Sequence, residues 1–324
     1  MYLLPRPQEM LLQDNVFYVD YTAEICIDPE ASPEWLHYAS LLQKEIEQDT
    51  GFHLNINRNL PVFQPPSILL KSTSGHSQQE YTLRIRESGI LLTASSNSGM
   101  LYAIQTLRQI IRQEGACLPG LDIHDFPVIS NRGLYYDVTR SRIPTLSYLK
   151  KMADTLSFYK INQLHLYIEH TYMFRNLSEV WRDDTPLTSS DILELDRYCA
   201  DLGIELVPSI ASFGHLYKIL RTKSFRHLCE REDLCEEPFG FIDRMEHHTI
   251  DVSNEESFSF IWSLIEEYLP LFRSDKFNIC GDETFDLGTG KSHELAEREG
   301  TQQLYIQYIK KLCDALVTHG KTPM

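Results

Sequence analysis

The sequence predicts an α/β protein with a small domain of mixed strands and helices followed by a larger domain of alternating strands and helices. Residues 81–115 are typical of two strands and a helix. After residue 126, short apolar strands alternate with amphipathic helices, which indicates a parallel sheet covered by helices. An open doubly wound sheet and a closed (β/α)8 barrel both fit this alternation. We expect an N-terminal α/β domain at residues 1–125 and a second domain at residues 126–324.

The small domain has one clear local unit. Residues 81–86 alternate apolar and polar side chains, which predicts a half-buried strand. Residues 87–89 predict a three-residue turn with glycine at its end, and residues 90–94 the returning strand. Ser95, Ser96, Asn97 and Ser98 offer helix caps, and apolar residues at helical spacing then continue to Gly115.

The larger domain repeats one pattern of strand and helix. We predict strands at residues 134–138, 163–168, 204–208 and 276–280. We predict helices at residues 146–159, 192–202, 256–268 and 304–319, with capping boxes beginning at Thr188 and Ser253. Residues 321–324 indicate the start of a fifth strand. Because a complete barrel needs about 250 residues, we expect only about the first half of one.

The connection at residues 210–252 is long for a link between a strand and a helix. It follows the carboxyl end of a strand, which is where barrel enzymes place their site residues. We interpret it as a functional loop with some helix of its own, within residues 216–228.

Composition and missing motifs argue against nucleic acid, membrane, metal and nucleotide partners. The 324 residues include 30 Lys and Arg against 46 Asp and Glu, a net charge of −16, which disfavours nucleic acid. No apolar run is long enough for a bilayer and no secretory signal begins the chain, so we expect a cytoplasmic protein without a membrane partner. The seven cysteines lack metal-ligand spacing, and no phosphate-binding glycine loop follows a strand.

The strongest candidate site is the pair Asp282 and Glu283, directly after the fourth strand. Neighbouring residues on a regular strand point to opposite faces. Both carboxylates can address one site only where the strand has ended, and Gly281 permits the necessary bend. A solvated loop or a helix N-terminus is the alternative explanation for two adjacent acids.

The other three strands also end in polar residues. Arg140 follows the first strand and suits hydroxyls or carboxylates, although a salt bridge to Asp137 would explain it equally well. Glu169 and His170 follow the second. His215 follows the third and is a candidate to hold an acid/base carboxylate, or a purely structural histidine. Successive strand ends open on one face of a barrel, so their convergence is the stronger signal.

Together these residues resemble the family 20 glycoside hydrolases, the β-N-acetylhexosaminidases. Residues 81–112 resemble the small domain that precedes the (β/α)8 catalytic barrel of that family. The motifs that carry the resemblance are Arg132-Gly133 with Asp137 and Arg140, then Lys160-Ile161-Asn162, Gly214-His215, and Gly281-Asp282-Glu283.

The resemblance implies a retaining enzyme that removes terminal β-linked N-acetylglucosamine or N-acetylgalactosamine from a glycan. In that family the substrate's own 2-acetamido group acts as the nucleophile. It implies that Glu283 is the acid and base, that Asp282 orients the acetamido N–H, and that Arg140 binds ring hydroxyls. His215 would support Glu283. No metal or cofactor is implied.

Two departures from the family leave alternatives open. Family members carry an aspartate after the second strand, where this sequence has His170 preceded by Glu169; we favour Glu169, because a carboxylate suits the role. The aromatic residues around the acetamido methyl come from later strands, which we expect this sequence to lack. A non-catalytic carbohydrate-binding protein or an inactive fragment are therefore the alternatives. A metal-dependent hydrolase, suggested by the twelve histidines, lacks a supporting HxH or HExxH motif.

Overall fold

The chain forms two units. The structure, a computed structural model, describes residues 1–58, 67–140, 142–236, 238–240, 242–243 and 247–324. The first unit contains Met1–Arg132, Met152–Asn162 and Asp201–Ile204. The second contains Gly133–Lys151, Gln163–Ala200 and Glu205–Met324.

The first unit is built on a seven-stranded mixed sheet, in the order β1-β7-β5-β6-β4-β2-β3. The sheet is parallel from β3 to β6, and β5, β7 and β1 continue it antiparallel. The strands are β1 (Glu9–Tyr18), β2 (Glu24–Ile27), β3 (Asn55–Arg58), β4 (Ser67–Ser72), β5 (Tyr81–Arg86), β6 (Gly89–Ala94) and β7 (Cys117–Asp125).

Two helices pack against each other and against this sheet: α1 (Glu34–Thr50) and α2 (Asn97–Glu114). The apolar residues of α1 are spaced so that one face of the helix lies in the core. Gly51, with a φ of 80°, ends this helix. Buried apolar side chains from both helices and from the sheet form one continuous core. They include Ile25, Leu42, Ile68, Leu83, Leu92, Ile104 and Ile123.

The predicted hairpin and helix of this unit are confirmed, with one correction. Ser96 caps α2, since its hydroxyl accepts a hydrogen bond from the Gly99 N–H at 3.0 Å, and Gly115 follows the last turn. The prediction of a three-residue turn in the hairpin is wrong, however. Arg86 pairs with Gly89, so only residues 87–88 lie in the turn, and Gly89 (φ 151°) already belongs to the strand.

The second unit contains a run of parallel strands. β8 (Gly133–Asp137), β9 (Gln163–Tyr167) and β10 (Glu205–Pro208) pair side by side. A parallel bridge between Ser209 and Asn278 leads from β10 to β11 (Lys276–Phe277), which pairs with β12 (Thr322–Pro323). The predicted strands are thus present, including the fifth, although the fourth spans Lys276–Phe277 rather than residues 276–280. Their carboxyl ends share one edge.

Helices follow the strands of this unit. They are α3 (Leu146–Phe158, whose second half belongs to the first unit), α4 (Ser178–Trp181), α5 (Ser189–Asp201), α6 (Tyr217–Leu220), α7 (Glu255–Tyr268), α8 (His293–Glu299) and α9 (Thr301–Thr318). In the part of the chain that the structure describes, no helix has the length and apolar character needed to cross a bilayer.

The helix caps of this unit confirm one prediction and correct another. Thr188 and Asp191 exchange hydrogen bonds as a capping box, as predicted. Asn254, rather than Ser253, caps α7, because its side chain accepts from the Glu256 N–H at 2.9 Å. The Ser253 hydroxyl donates instead to Asp251 at 2.6 Å.

The long connection after β10 contains only short helical segments. Helix α6 ends at Leu220, and the Thr222 hydroxyl donates to the Ile219 carbonyl oxygen at 2.8 Å, which competes with continuation of the helix. Two single 3-10 turns, at Arg226–Leu228 and Glu232–Leu234, follow. The prediction of some helix within residues 216–228 is therefore confirmed, as two short segments.

Candidate active site

The candidate site lies beyond the carboxyl ends of β8 to β11, entirely within the second unit. The chain leaves β8 toward Arg140, β9 toward Glu169, β10 toward His215 and β11 toward Asp282 and Glu283. Leu164 and Leu166 of β9 and Leu206 and Val207 of β10 are buried, and the candidate site residues follow the carboxyl ends of the strands.

His215 lies between the two adjacent acids. Its Nε2 atom is 3.0 Å from Glu283 Oε2 and 3.4 Å from Asp282 Oδ2. The imidazole is buried with 3% exposure, whereas the side chains of Asp282 and Glu283 are 62% and 41% exposed. A buried imidazole therefore lies behind two carboxylates that a ligand can reach from solvent.

The backbone turns sharply to bring both acids to this histidine. Cys280 has a φ of 46°, Glu283 of 51° and His215 of 59°, all in the left-handed region that residues with a β-carbon rarely adopt. The predicted bend after the strand is present, but Gly281 itself has no such φ. A β-carbon on Gly281 would lie 2.7 Å from Ile309 Cδ1, so its absence makes room for α9 instead.

Arg140 is held from several sides. Its Nη1 donates to Asp137 Oδ2 at 3.0 Å, the salt bridge that the sequence left as an alternative. Its Nη2 lies 3.4 Å from Glu169 Oε1, and its guanidinium carbon lies 4.8 Å from the centre of the Tyr167 ring. An arginine fixed in this way presents its remaining N–H groups in a defined direction.

Glu169 is the second carboxylate that lies against Arg140, beside Asp137. It is buried, and its Oε1 accepts a hydrogen bond from the Tyr167 hydroxyl at 3.0 Å. Burial raises the pKa of Glu169, while the charge of Arg140 opposes that rise. His170 is also buried, with its Nδ1 3.7 Å from Glu169 Oε2.

The carboxyl group of Asp282 and the thiol of Cys280 differ in their ionisation. The neighbouring His215 side chain holds the pKa of Asp282 below its usual range, which favours an ionised carboxylate. Burial raises the pKa of the nearby Cys280 thiol to about 11, so this thiol stays protonated at neutral pH. Of these two groups, the carboxylate of Asp282 is therefore the one that carries a negative charge at neutral pH.

The same group of side chains has the donor set of a metal site. One donor atom each from His215, Asp282 and Glu283 lies within 4.8 Å of the other two. One imidazole and two carboxylates would accept a divalent cation such as Zn²⁺. The short distances serve equally well for moving a proton between the groups.

Tyr167 was not singled out by sequence reasoning. It contacts Arg140 and Glu169, and its ring centre lies 6.3 Å from that of His215, with the planes at 85°. A signal was present, because Tyr167 is the last residue of β9 and shares a face with His165.

Comparison with known proteins identifies the class of protein. The model of glycosyl hydrolase family 20, domain 2, matches residues 1–126, and that of the family 20 catalytic domain matches residues 130–324. The chain therefore belongs to the glycoside hydrolase families. It belongs to family 20, in agreement with the resemblance seen in its motifs.

Individual relatives are more distant. The beta-hexosaminidase of Porphyromonas gingivalis is 24% identical over 356 residues, which cover 98% of this chain and 44% of the relative. That of Akkermansia muciniphila is 31% identical over 156 residues, which cover 42% of this chain and 31% of the relative. The chain thus spans less than half the length of these curated relatives.

Solved structures share the fold. The chitobiase of Flavobacterium johnsoniae superposes with a TM-score of 0.83 at 22% identity, over 99% of this chain and 52% of that one. The exo-β-N-acetylglucosaminidase of Vibrio harveyi, solved with N-acetylglucosamine, gives a TM-score of 0.81 at 22% identity, over 99% of this chain and 54% of that one.

Proposed function

We propose that this chain supplies the acid/base side of a retaining exo-β-N-acetylhexosaminidase that acts by substrate-assisted catalysis. The observation that carries the proposal is the position of His215 Nε2, 3.0 Å from Glu283 and 3.4 Å from Asp282, at the end of a strand in a family 20 catalytic domain. Relatives named beta-hexosaminidases support the substrate class, as does the Vibrio harveyi structure with its bound N-acetylglucosamine.

In the first step, the carbonyl oxygen of the substrate's 2-acetamido group attacks the anomeric carbon. The bond from that carbon to the leaving oxygen breaks, and Glu283 gives its proton to the leaving oxygen. Asp282 accepts a hydrogen bond from the acetamido N–H and stabilises the positive charge of the oxazolinium ring. Its lowered pKa supports this role, because the carboxylate must be ionised.

In the second step, Glu283 removes a proton from water, which attacks the anomeric carbon and releases the acetamido oxygen. Two inversions give net retention. Arg140, fixed by Asp137 and Glu169, binds ring hydroxyls away from the reacting carbon, so that binding energy is used to hold the geometry.

We further propose that β8 to β12 are the first five strands of a closed (β/α)8 barrel. Their parallel order supports this, as does their succession along the chain. In such a barrel, the residues that enclose the acetamido methyl would come from strands after β12. Experiments on activity therefore use the full-length protein that carries this sequence.

The test is hydrolysis of a chromogenic β-N-acetylglucosaminide and its galactosamine counterpart. We expect turnover with the β-anomer as the first product by NMR. Glu283→Gln and Asp282→Asn should each lower kcat by about 100-fold or more. Glu294→Gln, which changes an exposed glutamate on α8, is the matched control and should leave kcat unchanged.

Nucleophilic participation by the substrate has its own test. Replacing the acetyl group by trifluoroacetyl weakens the carbonyl oxygen as a nucleophile, so kcat should fall steeply, and a thiazoline analogue of the bicyclic intermediate should bind tightly. Full activity of Glu283→Gln would reject the assigned acid. Sugar binding without any turnover would instead favour the carbohydrate-binding alternative.

A further inference from the structure

Tyr167 is the side chain that joins the separate parts of the candidate site. It ends β9, and its contacts reach Arg140, Glu169 and His215. The residue is 3% exposed, so the substrate has little access to it. Any role that it has in the reaction must therefore act through these three neighbours.

The Tyr167 hydroxyl is shared between a cation and an anion. It donates to Glu169 Oε1 at 3.0 Å, and it accepts from Arg140 Nη2 at 3.4 Å. Arg140 Nη2 is also 3.4 Å from the same Glu169 oxygen. The hydroxyl thus lies within the ion pair and stabilises the ionised form of a buried carboxylate.

The Tyr167 ring has a separate function from its hydroxyl. The Arg140 guanidinium lies over its face, with the carbon 4.8 Å from the ring centre, which is a cation–π contact. The ring also meets the His215 imidazole edge to face. A phenylalanine at this position would keep both ring contacts and lose only the hydroxyl.

We propose that Tyr167 is a positioning residue that keeps Glu169 ionised and in place against Arg140, so that Arg140 keeps one orientation toward the sugar hydroxyls. This rests on the proposed function, in which Arg140 binds the substrate. Without the hydroxyl, Glu169 takes up a proton at higher pH, and Asp137 alone then holds Arg140.

Other charged and titratable groups also face Glu169 and define its surroundings. Arg140 and His215 favour its ionised form, and Asp137 opposes it. His170 Nδ1 lies near its second oxygen, and the buried Cys280 thiol feels its charge. Removing the Tyr167 hydroxyl takes away one neutral donor and leaves the charged side chains around Glu169 in place.

The test compares Tyr167→Phe with Tyr135→Phe in the full-length protein. Tyr135 is a matched control because its ring lies 5.9 Å from that of Tyr167, while its hydroxyl is 3.2 Å from the Cys280 sulfur. The readouts are KM and kcat for a chromogenic β-N-acetylglucosaminide over a range of pH, and the thermal midpoint of unfolding.

For Tyr167→Phe we expect a KM about tenfold higher with kcat within about threefold, because uniform binding is lost. The acid limb of kcat/KM should move to higher pH by about one unit, the effect of one lost hydrogen bond to a charged group. Tyr135→Phe should not move this limb. A loss that is the same at every pH, or an equal shift in Tyr135→Phe, would refute the positioning role.

A second measurement separates this inference from the proposed function. Infrared difference spectroscopy follows the carbonyl stretch of a protonated carboxyl group, and Glu169→Gln assigns the band. The Glu169 titration should move to higher pH in Tyr167→Phe whether or not the protein hydrolyses the substrate. An unmoved band contradicts the inference, whereas an inactive wild-type protein contradicts the proposed function.

Discussion

A β-carbon on Gly214 would lie 2.8 Å from the carbonyl oxygen of Asp282 and 3.0 Å from that of Glu283. The loop after β10 and the turn after β11 are therefore in backbone contact. Gly214→Ala should push the two acids away from His215 and lower kcat by about 100-fold, since displacements of about 1 Å have such effects. Kinetics on the chromogenic substrate would measure it.

The control for this prediction is Gly133→Ala at the start of β8. A β-carbon there would be 3.4 Å from Gln163 Cβ, which is ordinary van der Waals contact, so both activity and stability should change little. Gly214→Ala should cost about 1–3 kcal/mol of stability through overpacking. Equal activity of the two variants would show that this backbone contact does not position the acids.

Much of the fold could be predicted from local patterns. Alternation predicts β5, the turn after it indicates β6, and helical spacing with a final glycine predicts α2 and α5. The first 80 residues yielded no sharp prediction. There β1 is an edge strand with exposed apolar residues, including Leu11 at 63% exposure, so its pattern does not distinguish an inner face.

The site was predictable only in part, for a physical reason. Strand periodicity gives the position of each strand end, and parallel strands bring those ends to one edge. Strand periodicity does not predict which of several charged groups each site residue contacts. That Glu169 lies against Arg140 and Tyr167 depends on rotamers and burial, and that Cys280 and Glu283 bear the sharp turn depends on packing against α9.

His215 should control the pH dependence of the reaction through Asp282. Because His215 lowers the pKa of Asp282, its removal in His215→Gln lets Asp282 take up a proton at higher pH. The acid limb of the kcat profile should therefore move to higher pH, and kcat at the optimum should fall by about 100-fold. Steady-state kinetics between pH 4 and about pH 8 would show both effects.

The matched control is His227→Gln. His227 Nε2 lies 3.0 Å from Glu256 Oε1, the same kind of pair as His215 with Glu283, but both partners are exposed. Its loss should change neither kcat nor the acid limb. If His215→Gln kept the wild-type profile, His215 would be a structural histidine.

The first unit should lose stability in acid through Glu45. This carboxylate is buried, and burial by itself raises its pKa. Arg112 and Arg108 outweigh that effect and hold the pKa below its usual range. Arg108 Nη2 lies 2.7 Å from Glu45 Oε2. A lowered pKa stabilises the fold above the unfolded-state pKa, and this stability is lost as the pH falls through the folded-state value. Glu45→Gln should therefore cost about 2 kcal/mol at pH 7 and much less in acid.

Chemical denaturation at a series of pH values would measure this difference for Glu45. The control is Glu47→Gln on the same helix, since Glu47 and its partner His53 are both more than half exposed. That variant should stay within about 0.5 kcal/mol of wild type at every pH. A constant loss in Glu45→Gln across the pH range would indicate a packing defect rather than a lost ion pair.

Divalent metal ions should inhibit the enzyme without being required by it. In the proposed mechanism, Glu283 carries the proton and Asp282 holds the acetamido N–H, so both must be free of metal. Their oxygens and His215 Nε2 lie close enough to bind Zn²⁺ together, which would occupy the groups that the reaction uses. EDTA should leave kcat unchanged, whereas excess Zn²⁺ should inhibit competitively with substrate and EDTA should reverse this. Loss of activity on chelation, restored by added metal, would support the metal-dependent hydrolase and remove the case for substrate-assisted catalysis.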